Sequence, residues 1–301
     1  MARSIVILVL FLFSQPSLSS SCCGQSPASF TILSLHQTLS LSLGYSLINS
    51  QGRVFDNSEE FFLWDDNKKR QISSTNLSIA STISDRHQLF INTSYMEATF
   101  RSPLEDGASQ NFSDTLIGYN FEVLPEYTYS PWKPIIYLSA FLNIPTGKSI
   151  YDKSTLSEGA DVTGHNQWGS GLGISLRKNF FPVTLTLQGK VMRLFPKSFH
   201  NSRVTSFYDS SISLLGNYNL SFWDLSLNGG LTSSFLSQRK LQPSETVSGT
   251  SRVTTLTGGL QRPLNESLSL SLAYSDQTLL GDQKNVILNK TYNLTLNYNY
   301  Y

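Results

Sequence analysis

The chain has 301 residues, of which 14% are charged, and a formal net charge of +1. A soluble domain of this size usually carries about a quarter charged residues. No basic stripe supports binding to nucleic acid. The composition therefore argues against an ordinary soluble domain and against a nucleic-acid-binding protein.

The N-terminus has the features of a secretory signal peptide. Arg3 supplies a positive charge, an unbroken apolar run covers residues 5–13, and the Ser-rich residues 17–21 offer small side chains for cleavage. A buried or anchoring helix is the alternative, but it needs a longer run. No later segment approaches the roughly 18 apolar residues of a transmembrane helix. We therefore predict a signal peptide at residues 1–21 and export of the rest.

Cys22 and Cys23 are the only cysteines, and they directly follow the predicted signal. A lipid-anchored cysteine stands at the first mature position, which makes Cys22 a candidate for lipidation. The usual pattern has an aliphatic residue three positions earlier, where this chain has Ser19, with Leu18 one position too early. Lipidation of Cys22 therefore stays an open alternative. A disulfide between neighbouring cysteines would be strained, and we expect neither residue to be catalytic.

An irregular segment, residues 22–36, is expected to form a short plug or a tail. Between residues 37 and 301, the predicted barrel domain, apolar residues recur at every second position in twelve short segments, which puts one set of side chains on each face of a strand. The predicted strands, in chain order, lie at residues 39–47, 77–83, 89–95, 117–123, 136–144, 168–176, 183–191, 208–218, 223–235, 256–260, 268–274 and 292–300.

The gaps between these strands alternate between long and short. The long gaps span residues 49–70, 97–113, 145–166, 195–204, 238–251 and 276–289. An even number of strands with long loops at one end and short turns at the other is typical of outer-membrane barrels. We therefore predict an all-β fold, a transmembrane antiparallel up-and-down β-barrel of about 12 strands. We expect its N- and C-termini to lie on the short-turn side, which would be periplasmic.

The composition of the two predicted faces supports this architecture. The polar face carries Ser, Thr, Asn, Gln and Gly almost throughout, whereas a soluble sandwich or lipocalin-like barrel would expose Lys and Glu there. Aromatic residues gather at both expected membrane interfaces and predict two girdles. Those near the short turns are Trp132, Phe180, Phe181, Phe222 and Trp223, and those near the long loops are Tyr45, Tyr95, Trp168, Phe235 and Tyr274.

Few charges fall in the polar phase, which we interpret as the wall of the lumen. The candidate lumen charges are Glu122, Arg177, Lys190, Asp209 and Asp224. They would tune the selectivity of a pore, or they would form ion pairs in a narrow barrel or lie at the periplasmic rim. Because neutral side chains dominate this face, we do not expect strong ion selectivity.

The sequence gives little support for catalysis. An outer-membrane lipid hydrolase would need a Ser and a His facing lipid near the outer rim; Ser170 is in the apolar phase, but His165 is not. Asp161 and His165 supply only two metal ligands. The run Thr146-Gly-Lys-Ser149 lacks the glycine of a phosphate-binding loop, because Leu142 stands five residues before Gly147. We expect no catalytic residue, no metal site and no cofactor.

Three short motifs resemble the outer-membrane barrel family that is associated with the meta-pathway of phenol degradation. They are Leu41-Ser-Leu-Gly-Tyr45, Ile144-Pro-Thr-Gly-Lys148, and Asp161-Val-Thr-Gly164 with Trp168. The resemblance implies a channel or transporter, in some members for hydrophobic compounds, and it implies no catalytic residues. One departure is the C-terminus, where Tyr300 is in the apolar phase but Tyr301 lies one residue beyond it.

The function predicted from these features is passive passage of small, neutral or hydrophobic solutes through a polar lumen. Twelve strands enclose a lumen between the filled interior of about eight and the open channel of about 16. The alternatives are a structural or surface-display barrel and, less favoured, an outer-membrane lipid hydrolase. The expected partners are outer-membrane lipid, the barrel-assembly machinery and small solutes; the sequence leaves the oligomeric state open.

Overall fold

A computed structural model describes residues 30–34, 37–55, 60–65, 67–126, 129–152, 159, 161–200, 202–220, 224–243, 247–281 and 283–301. The predicted signal peptide, Cys22, Phe222 and Trp223 lie outside these residues. The strands are β1 (Leu39–Val54), β2 (Phe61–Leu63), β3 (Lys69–Ser84), β4 (His87–Arg101), β5 (Asp106–Phe112), β6 (Thr115–Leu124), β7 (Ile135–Ile144), β8 (Gly169–Phe180), β9 (Val183–Leu194), β10 (Lys197–Phe199), β11 (Ser202–Val204), β12 (Phe207–Leu220), β13 (Leu225–Leu236), β14 (Arg239–Gln242), β15 (Val247–Ser248), β16 (Ser251–Pro263), β17 (Leu268–Asp276) and β18 (Val286–Tyr300).

Twelve of these strands form one closed antiparallel barrel. Their order around the wall is β18-β17-β16-β13-β12-β9-β8-β7-β6-β4-β3-β1, and β1 pairs with β18 to close it, with Leu39 opposite Tyr300. The structure thus confirms the predicted all-β transmembrane barrel. In the part of the chain that the structure describes, no helix is long and apolar enough to cross a membrane.

The two-residue alternation decides which side chains face outward. On β1, Leu43 is 54% exposed on the outer surface, whereas its neighbour Ser42 is 7% exposed and faces the lumen. The same division holds along the other wall strands, so the outer surface is a continuous apolar band and the lumen is lined mainly by small polar residues. A closed barrel pairs every backbone group of the wall and leaves no open edge.

The two ends of the barrel differ in loop length, as the sequence predicts. At the short-turn end, β3 and β4 are joined by Asp85 and Arg86 alone, and β8 and β9 by Phe181 and Pro182. At the long-loop end, β5 pairs with β4, β2 pairs with β1, and β10, β11, β14 and β15 form a separate small sheet. Aromatic side chains are exposed at both ends, for example Trp132 at the short turns and Trp168 at the long loops.

Several boundaries differ from the predicted ones at the long-loop end. β1 continues to Val54 and β3 begins at Lys69, so both strands enter the predicted gap of residues 49–70. β18 begins at Val286 rather than after residue 289, and β8 begins at Gly169, one residue after Trp168. Backbone pairing continues here beyond the apolar band, and side chains outside the membrane need not alternate. The apolar pattern therefore ends before the ladder does.

Candidate functional site in the lumen

The segment that precedes β1 lies inside the barrel. Leu33 forms a two-point pair with the side chain of Gln88 on β4: its N–H donates to Oε1 at 3.0 Å, and its carbonyl accepts from Nε2 at 3.2 Å. Asn120 Nδ2 on β6 donates to the carbonyl of Thr31 at 2.8 Å. These neutral side-chain amides satisfy backbone N–H and carbonyl groups of residues 30–34, which belong to no strand. Residues 30–34 therefore occupy the lumen, in keeping with the plug that the sequence left open as an alternative.

The plug is also held by an apolar cluster within the lumen. Phe30 and Leu33 pack against Phe90 and Phe141, with ring centroids of Phe30 and Phe141 5.0 Å apart, and Ala80 completes the cluster. Burying each of these large side chains stabilises the arrangement by about 1.5–3 kcal/mol. Because these apolar groups stand in the otherwise polar phase, they create a local apolar section of the lumen.

A second apolar cluster closes part of the long-loop end. It consists of Met192 and Leu194 on β9, Phe207 on β12, Phe199 on β10 and Val204 on β11. Leu116 on β6 packs against this cluster and also against the one around the plug. Leu116 therefore joins the two clusters into one run of packed apolar side chains from the plug to the long-loop end, which is called the apolar path below.

Asp114, just before β6, holds the described parts of the loop between β7 and β8, residues 145–152 and 161–168, over the lumen. Its carboxylate accepts hydrogen bonds from the backbone N–H groups of Gly147 at 3.0 Å, His165 at 2.7 Å and Asn166 at 3.2 Å. A Cβ on Gly164 would lie only 2.7 Å from Asp114 Cγ, and one on Gly147 only 2.9 Å from Oδ1. Both glycines are therefore needed for the backbone to approach the carboxylate this closely.

The two loop motifs noted in the sequence meet at this point. Lys148 Nζ forms an ion pair with Asp161 at 2.6 Å, and Asp161 is almost completely buried. Lys148 N–H donates to Thr163 Oγ1 at 2.9 Å, and Thr163 Oγ1 donates to the carbonyl of Phe112 at 2.6 Å. A buried carboxylate needs such a charge partner. The Thr-Gly-Lys run thus has a structural role at the loop base.

The loop continues toward the lumen through a left-handed residue. Asn166 has φ of 53°, and its side chain donates to Asp152 Oδ2 at 2.7 Å and accepts from Lys197 Nζ at 2.7 Å. The next residue, Gln167, donates through Nε2 to the carbonyl of Phe195 at 2.9 Å. Asparagine tolerates this conformation better than most residues, and these bonds tie the loop to the next long loop.

His165 faces the lumen at the end of this loop. Its ring is edge-on to Phe207, with centroids 5.3 Å apart. Burial within the barrel lowers the pKa of the His165 imidazole below its usual value; the carboxylates of Asp209 and Asp114 oppose this effect, and the charges of Arg239 and Lys190 add to it. We therefore expect a neutral imidazole at pH 7.

Four of the five candidate lumen charges face the lumen. Lys190 and Asp209 are brought together, with Nζ and Oδ2 3.7 Å apart. Glu122 is buried toward the short-turn end, and Arg177 shares the inward phase of β8 with the buried Ser175. Asp224 does not lie in the wall: it is exposed in the turn before β13 and has φ of 48°, which matches the rim position given as the alternative. A turn residue with left-handed backbone lies outside the alternation on which that prediction rested.

The residues considered for lipid hydrolysis are not assembled. Ser170 is exposed in the outward phase of β8, whereas His165 contacts Phe207 inside the barrel, on the other side of the wall. Asp161 is paired with Lys148. A nucleophile and its base must lie within hydrogen-bonding distance, and these two do not.

Sequence reasoning missed the residues that shape the lumen most. Phe90, Phe141 and Leu116 are apolar residues in the polar phase, and this break in the alternation is a signal that could have found them. Asp114 lay at the end of a predicted loop and had no such signal. Its role depends on three backbone groups more than 30 residues away along the chain.

Comparison with known proteins supports the fold. No family profile matches the chain, and no curated protein matches it. The crystal structure of an outer-membrane channel from Pseudomonas putida F1 aligns with a TM-score of 0.70 and 16% identity, covering 89% of this chain and 97% of that one. The translocator domain of the autotransporter NalP from Neisseria meningitidis (TM-score 0.47, 11% identity, 87% and 88% covered) and the TodX monoaromatic hydrocarbon channel (0.43, 11%, 87% and 90%) are less similar. The chain therefore has the fold of bacterial outer-membrane barrels.

Proposed function

We propose that this barrel allows passive passage of small, neutral or hydrophobic solutes across the bacterial outer membrane. The observation that carries the proposal is the apolar path inside the lumen, where Leu116 joins the cluster around Phe141 to the cluster around Phe207. Apolar groups on the lumen side of the wall favour the passage of solutes that are themselves partly apolar. No chemical step is involved.

The remaining lumen wall suits neutral solutes. Its side chains are mainly Ser, Thr, Asn and Gln, and Lys190 and Asp209 largely cancel each other's charge. Hydroxyl and amide groups can hydrogen-bond to a passing solute without selecting for either sign of charge. The N-terminal plug, residues 30–34, narrows this route. A solute therefore passes either beside the plug or after the plug has shifted.

The same proposal includes export by the predicted signal peptide and location in the outer membrane. It also includes insertion by the barrel-assembly machinery and contact with outer-membrane lipid. The shared fold with the Pseudomonas putida F1 channel supports this location. Membership of the phenol-degradation barrel family is also proposed. It is supported by the way its Thr-Gly-Lys and Asp-Val-Thr-Gly motifs pack together around Asp114 and Lys148.

Single-channel recording in a planar bilayer tests the proposal. The native protein is compared with a variant that lacks residues 22–36, and each is exposed to glucose or phenyl glucoside at equal concentration. We expect a small native conductance, a larger one without the plug, and stronger reversible block by phenyl glucoside than by glucose, because only the phenyl group fits the apolar path. Absence of conductance in both proteins, together with no solute-driven swelling of proteoliposomes, would contradict passage and favour a structural or surface-display barrel.

A further inference from the structure

The lipid-facing wall carries a groove where β16, β17, β18 and β1 lie side by side. Its volume is about 590 Å³, within the range of about 300–1,000 Å³ that is typical of small-molecule sites. Gly258 forms its floor, and no atom lies within 4 Å of the position that a Cβ would take. The groove is therefore a gap in an otherwise continuous layer of outward side chains.

The strand register explains the shape of this groove. In one row across the wall, Gly258 is opposite Tyr274, which is opposite Tyr292. In the next row toward the short-turn end, Leu260, Leu272 and Leu294 are opposite one another in the same way. The tyrosines form one wall and the leucines line the part that leads deeper into the membrane.

Neighbouring side chains are held so that they do not fill the gap. Tyr274 OH donates to Asp276 Oδ2 at 2.6 Å, which anchors its ring, and this ring contacts Tyr292 with centroids 5.2 Å apart. Swinging Tyr274 over Gly258 would break a charge-assisted hydrogen bond, one of the stronger kinds. The groove is thus a fixed feature of the outer surface.

A cation stands at the long-loop end of the groove. Lys290 is one outward position above Tyr292 on β18, and its side chain is 36% exposed. It lies ten residues before Tyr300, which at about 3.4 Å per residue and a tilt of about 45° corresponds to about 24 Å of height. The outward apolar band of such barrels is about 25 Å tall, so Lys290 lies at the outer membrane–water interface.

Lys290 retains capacity for another acceptor. Its Nζ is 4.0 Å from Asp276 Oδ2, longer than a hydrogen bond. Asp276 is already satisfied, because Oδ1 accepts from both the N–H and the hydroxyl of Thr278, at 2.7 and 2.6 Å. This arrangement complements an anionic group above an apolar chain.

We propose that this groove binds one phosphate-bearing membrane lipid, with an acyl chain over Gly258 and the phosphate at Lys290. An acyl chain matches the apolar lining and the direction of the groove, and a phosphate matches an interfacial lysine with unused donors. The site is on the opposite side of the wall from the lumen, so it does not depend on what the lumen transports.

Native mass spectrometry of the purified barrel, titrated with dimyristoyl phosphatidylglycerol or phosphatidylcholine, tests the site. We expect one phosphatidylglycerol to be retained about five-fold more tightly than phosphatidylcholine, the factor that one cation at a membrane surface supplies. Gly258→Leu should lower binding of both lipids about ten-fold, because the side chain excludes about two methylene groups. Lys290→Gln should remove only the preference for phosphatidylglycerol.

Gly216→Leu is the matched control, because it adds the same side chain to the lipid face two strands away, outside the groove, and should leave binding unchanged. Folding of each variant is checked by its heat-modifiable gel shift, and Gly258→Ala replaces the leucine variant if that one does not fold. Equal lipid retention by native and Gly258 variants, or a dimer that Gly258→Leu abolishes, would overturn the proposal.

Discussion

Replacement of Asp114 by alanine should release the loop of residues 145–168 from the lumen. The carboxylate holds three backbone N–H groups, those of Gly147, His165 and Asn166. A hydrogen bond to a charged group contributes about 1.5–3 kcal/mol, so the three together contribute about 4–9 kcal/mol while the loop stays in place. Because a released loop regains hydrogen bonds to water, we expect a net effect of about 4 kcal/mol.

An effect of that size changes the ratio of released to docked loop by about 10³, since about 1.4 kcal/mol corresponds to a factor of ten. Two assays report it: single-channel conductance, which should rise, and the temperature midpoint of the heat-modifiable gel shift, which should fall. Asp114→Asn keeps an acceptor oxygen without the charge, so we expect an intermediate result for both measurements.

Asp106→Ala is the matched control, because this carboxylate is exposed at the start of β5 in the same part of the chain. It should behave like the native protein. If Asp114→Ala shows the same conductance and the same midpoint as Asp106→Ala, then the carboxylate does not hold the loop, and the reasoning from its three hydrogen bonds is wrong.

Three further predictions concern single side chains. Burial lowers the pKa of His165 in the docked loop, whereas in a released loop the pKa of His165 would be near its ordinary value of about 6.5. Docking should therefore be fully stable above about pH 6.5 and weaken as the pH falls from there toward the lowered pKa. Conductance should rise on acidification in the native protein but not in His165→Asn. Asp209→Asn leaves Lys190 without the carboxylate at 3.7 Å, so the reversal potential in a salt gradient should move toward anion preference, and an unchanged potential would contradict a lumen role for this pair. Lys178→Met should lower the midpoint of the gel shift, because Lys178 Nζ lies 2.5 Å from the buried carboxylate of Glu126. Breaking a buried ion pair costs about 3–5 kcal/mol. Lys133→Met is the control, because it keeps the backbone carbonyl that Lys178 contacts.

The wall of the barrel could be predicted because its physical cause is local. A strand that separates lipid from a lumen must alternate, and a period of two is visible in any window of a few residues. Tyr300 in the outward phase and the short turn between the predicted strands 77–83 and 89–95 follow from such windows. The extension of β1 to Val54 does not, because strand pairing outside the membrane leaves no apolar pattern.

The interior could not be predicted because its causes are distant in sequence. Residues 30–34 have no periodic pattern, and their partners Gln88 and Asn120 are indistinguishable in sequence from other polar residues of the lumen wall. Likewise, Gly147 and Gly164 are needed only because Asp114, which lies on another loop, approaches their backbone closely. Loop docking depends on tertiary contacts, which a pattern of nearest neighbours does not contain.

Departures from the alternation indicate sites on both faces of the wall. Most side chains on the lumen side of the wall are small and polar. Phe141 and Leu116 are exceptions, and the apolar plug and the apolar path beyond it explain why they are apolar. Outside, Gly258 leaves a gap in the apolar layer below Lys290, and a bound phosphate-bearing lipid would fill this gap. If both interpretations are correct, Phe141→Ser should change conductance without changing lipid retention, and Gly258→Leu should do the reverse. A variant on one face that alters both measurements would mean that the lumen and the lipid site are coupled through the wall.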